Sequence, residues 1–140
     1  MRICIDSCVF VTGIHQTDSA AARLLDLVGP DLILIIPRLV AQEVTANLPA
    51  AEQVRCFYRL FHNYSFAFIV DEPVPKYLVE KYIGLGLPEK ADAFIGAFAE
   101  WVQVRYLISD NRHFLRDLQT DAFGVLDAQT FLERWEMALL

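Results

Sequence analysis

The run Leu32-Ile33-Leu34-Ile35-Ile36, stopped by Asp31 on one side and Pro37 on the other, constrains this chain more than any other feature. Five consecutive aliphatic residues make both faces of an extended segment apolar. Such a strand is at home only where both faces are covered, which is the interior of a parallel sheet flanked by helices. Shorter strand-like segments run over Arg2 to Asp6, Phe66 to Val70, Val104 to Ser109 and Phe123 to Leu126. Between them the apolar spacing turns helical. Ser19 to Val28 carries Ala22, Leu25 and Val28 on one side, and Pro37 suits the first position of the next helix, where a missing N–H is no loss. Ala51 to His62, Pro75 to Ile83, Pro88 to Val102 and Ala128 to Leu139 complete the set. Strands alternating with helices predict an α/β sandwich around a mainly parallel sheet, with any ligand site outside the carboxyl ends of its strands.

No repeat, low-complexity tract or Gly/Ser linker interrupts the 140 residues, so a single domain over 1–140 is expected. Cys4, Cys8 and Cys56 are odd in number and lack paired C-x-x-C spacing, which argues against a disulfide framework and a zinc site and for buried, idle thiols. No apolar run approaches the roughly 20 residues of a membrane span. The opening Met1-Arg2-Ile3-Cys4-Ile5-Asp6 meets an acid too early for a signal peptide, so a cytoplasmic location is expected. The formal net charge of -6 is unusual for a nucleic-acid binder unless divalent metal supplies the positive charge that phosphate needs.

The placement of four acids makes that condition concrete. Asp6 closes the first strand and Asp110 follows the fourth, which brings both to the ligand-binding edge of a parallel sheet. Either alone is also what a helix cap or turn would use. Glu43 falls between Leu39 and Val40 on a helix turning by about 100° per residue, with Val44 and Ala46 flanking it. A carboxylate in an apolar stripe needs a partner, either an arginine or a metal ion. Asp92 lies in the first turns of its helix, on the flank of a stripe read as Ala91, Phe94, Ile95, Phe98 and Val102. It is in line with Gly96 and Ala99, whose small size permits close helix approach. Together the four exceed what caps and helix dipoles require. Carboxylates drawn together without a cation repel, whereas Mg²⁺ or Mn²⁺ prefers such oxygen ligands.

The ordered motifs Ile3-Cys4-Ile5-Asp6-Ser7, Pro37 with Gln42-Glu43-Val44, Ala91-Asp92-Ala93-Phe94-Ile95-Gly96-Ala97 and Leu107-Ile108-Ser109-Asp110-Asn111-Arg112-His113-Phe114 resemble the PIN-domain family, and within it the VapC-like toxins. The resemblance spans essentially the whole chain. It implies a three-layer α/β/α sandwich with a mainly parallel five-stranded sheet, and endonucleolytic cleavage of single-stranded RNA with Mg²⁺ or Mn²⁺. It also implies a homodimer and neutralisation by a small antitoxin protein. Asp6, Glu43 and Asp92 match the family's most constant acids. Two positions depart from the pattern. Cys8 stands where Asn or Ser is usual, and alignment on Phe114 puts Asn111 where an Asp is frequent, with Asp110 beside it.

On this reading Asp6, Glu43 and Asp92 hold one or two ions, and Asp110 or Asn111 completes the shell. Chemistry favours the charged Asp110, and motif alignment favours Asn111. Lys90, Arg112, His113 and Arg116 are close enough in sequence to hold flanking RNA phosphates, or to be solvated surface; His113 also has the chemistry of a proton shuttle. Two other strand-end acid folds fit less well. A receiver domain resembles paired acids after the first strand with a late Lys, and a haloacid-type phosphatase would want Asp at Cys8. The remaining alternative is a PIN-like protein, catalytically weak or inactive, that acts by binding protein or RNA.

Overall fold

The computed structural model describes residues 1–62, 65–87 and 89–140. Among these residues five strands, β1 (Arg2–Ile5), β2 (Ile33–Pro37), β3 (Ala67–Val70), β4 (Tyr106–Ile108) and β5 (Gly124–Leu126), form one sheet in the order β3-β2-β1-β4-β5. Every pairing is parallel. The aliphatic run supplies β2, second from one edge, where Leu34, Ile35, Ile36 and Pro37 are all buried.

Among the described residues seven α-helices accompany the strands: α1 (Ser7–Ile14), α2 (Ser19–Asp26), α3 (Arg38–Ala46), α4 (Ala51–Arg59), α5 (Lys76–Gly84), α6 (Lys90–Trp101) and α7 (Ala128–Glu136), the last following β5. A π-helical turn, His113–Asp117, joins β4 to β5. From β1 the chain steps outward to β2 and β3, then returns across the sheet to β4 and β5. Parallel crossovers are right-handed, so this reversal puts α1 to α4 on one face and α5, α6 and the π turn on the other. The packing agrees: α1 lies against α2, α3 and α4, α2 against α7, and α5 against α6. The α/β sandwich with a parallel five-stranded sheet is the expected one.

Helix α1 was not among the expected elements. Its sequence is rich in Val9, Val11, Thr12, Ile14 and Gly13, all weak helix formers. Tertiary contacts override that preference. Val9, Phe10 and Gly13 are buried, and the Asp6 side chain caps the helix by accepting from Ser7 N–H. Pro37 ends β2 and precedes α3 rather than occupying its first turn. In α6 the buried side comprises Ala93, Ile95, Gly96, Ala97, Phe98 and Ala99, whereas Ala91 is exposed and Phe94 and Val102 are half-buried. The small-residue line does allow close approach, since a Cβ on Gly96 would lie 2.8 Å from Cδ1 of Tyr82 on α5. Pro88, expected to open this helix, falls outside the described residues. All three cysteines are free; Cys4 is buried and Cys8 half-buried, but Cys56 is exposed on α4, contrary to expectation. No helix among the described residues is long and apolar enough to cross a membrane.

Candidate active site

The order of strands reverses at β1 and β4, and the crevice beyond their carboxyl ends is where an open parallel sheet binds ligands. Asp6 stands there because its N–H extends the ladder to Ile108 O at 2.9 Å, leaving the side chain at the strand's end. Ser109, the next residue on β4's side, is fully buried and donates through Oγ to Asp6 Oδ2 at 2.8 Å. Ser7 N–H holds the other oxygen, Oδ1, at 2.8 Å. Asp6 is thus both a helix cap and a fixed carboxylate, and the cap reading of the sequence was half of its role.

Ser7 also reaches across to α3, where its Oγ donates to Glu43 Oε2 at 3.0 Å. Among the described residues no Lys or Arg pairs with Glu43, so the structural salt bridge is absent and a hydroxyl takes its place. On the other side Ser109 Oγ accepts from Asn111 N–H at 3.0 Å. Asn111 Nδ2 in turn donates to Asp92 Oδ2 and Oδ1 at 3.3 and 3.4 Å. Its Oδ1 accepts from His113 N–H at 2.9 Å, which fixes the orientation of the amide. The result is a continuous polar chain, Glu43–Ser7–Asp6–Ser109–Asn111–Asp92, drawn from α3, α1, β1, the β4 end and α6. Ser7 and Ser109 were not singled out from sequence. Their only signal was position: each is a small hydroxyl next to a strand-end acid.

Asp110 lies outside this chain. It is exposed, and the charges it feels are those of Asp18 and Asp127, the caps of α2 and α7, and of Asp6. The structure therefore brings Asn111, and not Asp110, between Asp6 and Asp92. Adjacent residues leaving a strand point to opposite sides, so only one of the two can face the cluster.

The electrostatics of the cluster are those of uncompensated negative charge. Burial raises the carboxyl pKa of Asp6, against the hydrogen bonds from Ser109, Ser7 and Cys8. Burial also raises Glu43 and Asp92, each further lifted by the charge of Asp6, with Ser7 and Asn111 respectively opposing. The charge of Asp92 lifts Glu43 further, and that of Glu89 lifts Asp92. Cys8 Sγ is 3.9 Å from Asp6 Oδ2, and burial, then the Asp6 charge, push its thiol up to about 11. It stays protonated at neutral pH, a neutral neighbour where a thiolate would add to the repulsion.

The basic residues separate. His113 lies close enough to Asp92 to lower its pKa, and its Nδ1 contacts Asp117 Oδ2 at 3.1 Å. Arg112 and Arg116 are exposed at either end of the π turn, and among the described residues neither has an ion-pair partner. Lys90 belongs elsewhere. With Phe94 it lines a cavity of about 480 Å³ between α5 and α6. On a helix, Lys90 and Phe94 share a face that Asp92, two residues from each, does not.

No three of His, Cys, Asp and Glu close on a single point among the described residues, so the site is not a ready-made protein cage.

Comparison with family models and with characterised proteins finds no match. Solved structures do match. A chain of VapBC2 from Rickettsia felis, bound to a DNA fragment from its promoter, superposes with a TM-score of 0.61 at 17% identity, over 89% of this chain and 97% of that one. A toxin–antitoxin complex from Klebsiella pneumoniae gives 0.60 at 16%, covering 90% and 97%. FitAcB from Neisseria gonorrhoeae gives 0.59 at 16%, covering 91% and 98%. Identity this low speaks for fold alone. Motif order in the sequence and the path of the backbone converge on the same answer, and the fold of this chain is the PIN-like one.

Proposed function

We propose that this protein is a Mg²⁺- or Mn²⁺-dependent endoribonuclease acting on single-stranded RNA, the toxin of a toxin–antitoxin pair. The observation that carries the reading is the chain of three carboxylates at the switch point, braced by hydroxyls and an amide and paired with no Lys or Arg among the described residues. A buried carboxylate whose charge raises the pKa of its neighbours Glu43 and Asp92 calls for a positive charge, and oxygen donors select a hard one. Asp6, Glu43 and Asp92 are the residues to hold it, with Asn111 in place of Asp110 as the residue that orients Asp92, since its Nδ2 faces that carboxylate and its Oδ1 is taken by His113 N–H.

A divalent ion bound there supplies Lewis acidity, acidifying water and stabilising the charge that develops on phosphate. The protein's own part is placement. Ser109 and Ser7 N–H fix both oxygens of Asp6, Ser7 Oγ fixes Glu43, and Asn111 fixes Asp92. Arg112 and Arg116 are free to meet RNA phosphates on either side, and the Asp117 contact holds His113 at the rim. The name of the solved Klebsiella pneumoniae neighbour, a toxin–antitoxin complex, supports an antitoxin as partner.

Cleavage of a single-stranded RNA is expected in Mg²⁺ or Mn²⁺ and is expected to stop with EDTA. Activity that survives chelation, that returns with Zn²⁺ alone, or that persists in Asp6→Asn from the same preparation would refute the assignment. The neutral Asn111 favours the second reading, a PIN-like binding protein that does not cut. The same assay separates them.

A further inference from the structure

At the amino ends of the central strands β1 and β4, about 13 Å from Asp6 at roughly 3.3 Å per strand residue, lies a second site that the acids do not share. Arg2, at the start of β1, and Arg105, just before β4, are adjacent in the ladder, with Arg105 N–H donating to Arg2 O at 2.8 Å. Both line a cavity of about 580 Å³ together with Gln103 and Asp121. Neither guanidinium has an ion-pair partner among the described residues, although Asp121 is in the same wall. In a chain of net charge -6, this cavity wall brings two cations together with a single acid, Asp121, that pairs with neither.

The site is also braced. Arg105 Cζ lies 5.6 Å from the centroid of the Tyr106 ring. That ring is seated against Gly124, where a Cβ would meet Tyr106 Cε1 at 2.6 Å, and packs edge-on with Phe131 at 6.1 Å. A guanidinium laid on a fixed aromatic platform has already lost much of its freedom and keeps its N–H edges for an anion. Because Arg105, Gly124 and Phe131 engage the ring, the cavity offers donors rather than a stacking surface. Its size exceeds that of an inorganic anion and lies in the range of small-ligand sites, roughly 300–1,000 Å³. Asp121 repels a bare anion but accepts from a hydroxyl.

From this geometry we infer that the cavity binds a phosphorylated ribose, with phosphate on Arg2 and Arg105 and a sugar hydroxyl on Asp121. The ribose phosphate comes either from a free nucleotide or from the 5′ end of an RNA chain. Guanidinium forks match phosphate oxygens two at a time, which gives the site both charge and geometry.

The experiment is calorimetric titration in EDTA and low salt, where no metal can draw a ligand to the acids. The probes are AMP, inorganic phosphate and a 5′-phosphorylated tetranucleotide. Saturable binding of AMP is expected, at least about tenfold weaker in Arg2→Gln and Arg105→Gln, the loss due to a charged hydrogen-bonding partner. Asp121→Asn is expected to narrow the advantage of AMP over inorganic phosphate. Tighter binding of the tetranucleotide than of AMP identifies the RNA end as the source, and the reverse identifies the free nucleotide. Asp6→Asn must bind as wild type, so loss of cleavage and loss of this site are read separately. Melting curves check each fold, and should Arg105→Gln be unstable, Arg105→Lys, which keeps the charge but loses the fork, is expected to weaken binding as well. No saturation by AMP or tetranucleotide up to about 10 mM, a bound on the order of 3 kcal/mol, overturns the proposal. So does equal binding by wild type and stable arginine variants.

Discussion

Ser109 shows how little of a site can sit in its charged groups. Fully buried, it donates to Asp6 and accepts from Asn111, and so ties the strand-end acid to the residue that orients Asp92. The acids themselves were legible in the sequence because a carboxylate inside an apolar pattern demands explanation. A serine at a strand end demands none, and Ser7 and Ser109 passed unmarked for that reason. The order of Asp110 and Asn111 was open for a related reason: which of two neighbours faces inward depends on the exit angle of β4, which no periodicity encodes. On the proposed function, Asp6→Asn, Glu43→Gln and Asp92→Asn are each expected to slow RNA cleavage by at least ~100-fold, the scale for losing a charge-stabilising group. Asparagine keeps an oxygen to cap α1, so Asp6→Asn should melt no lower than wild type in EDTA; activity lost together with the fold would make the residue structural. The neighbours are separated by metal titration. Asn111→Ala should weaken Mn²⁺ binding and cleavage more than Asp110→Asn, because only Asn111 touches the acid chain. The opposite ranking would restore Asp110 as the ligand.

At the scale of elements, the interior strands were the most readable part of the chain and α1 the least. An aliphatic run such as β2 has few other places to go, and the alternation with helices then fixes a parallel sheet. The segment Ser7–Ile14 has weak helix formers throughout and becomes helical through what it packs against. Gly13 marks the contact: a Cβ there would lie 2.9 Å from Leu25 Cδ1 and 3.1 Å from both Ala21 C and Ala21 O on α2. Leu25 can turn aside but the backbone of Ala21 cannot, so the two helices would have to separate. Gly13→Ala is therefore expected to destabilise the fold by about 1–3 kcal/mol, the usual range for overpacking, as read from denaturant midpoints. Because α1 carries Ser7, activity below the melting temperature should fall as well. A variant as stable as wild type would mean that α1 and α2 are not locked at this contact.

The whole molecule carries its negative charge unevenly, and the stability of the fold should report it. The sequence concentrates Phe57, Tyr58, Phe61, Tyr64 and Phe66 in one stretch, more aromatic surface than one small core needs, but the fold divides it: Phe57 and Phe61 are buried, Phe66 is half-buried, Tyr58 is exposed, and Tyr64 lies outside the described residues. A homodimer at tens of micromolar remains the expected state by light scattering, with Tyr58 and the exposed Phe68 of edge strand β3 as the apolar surface to cover; a monomer there would end that expectation. The acid cluster makes the sharper case. The pKa values of Asp6, Glu43, Asp92 and Asp110 are all raised in the folded protein, first by burial and, for the last three, also by the charge of neighbouring acids. A group with a raised pKa binds its proton more tightly folded than unfolded. Between the ordinary carboxylate range near about 4 and the raised folded values, the native state holds more protons, and stability falls as pH rises. Glu52 is shifted the opposite way by Arg55 and Arg59, but it is fully exposed on α4 and far less able to oppose the trend. In EDTA the melting temperature should therefore climb as pH is lowered from neutral through the upper part of this window. Divalent metal competes with those same protons, so Mg²⁺ or Mn²⁺ should raise the melting temperature more at neutral pH than in mild acid. The combined Asp6→Asn, Glu43→Gln, Asp92→Asn variant should lose both the slope and the metal response. A slope that survives in that variant would locate the pH dependence outside the cluster, and a metal response that survives would remove these carboxylates as the place where the ion binds.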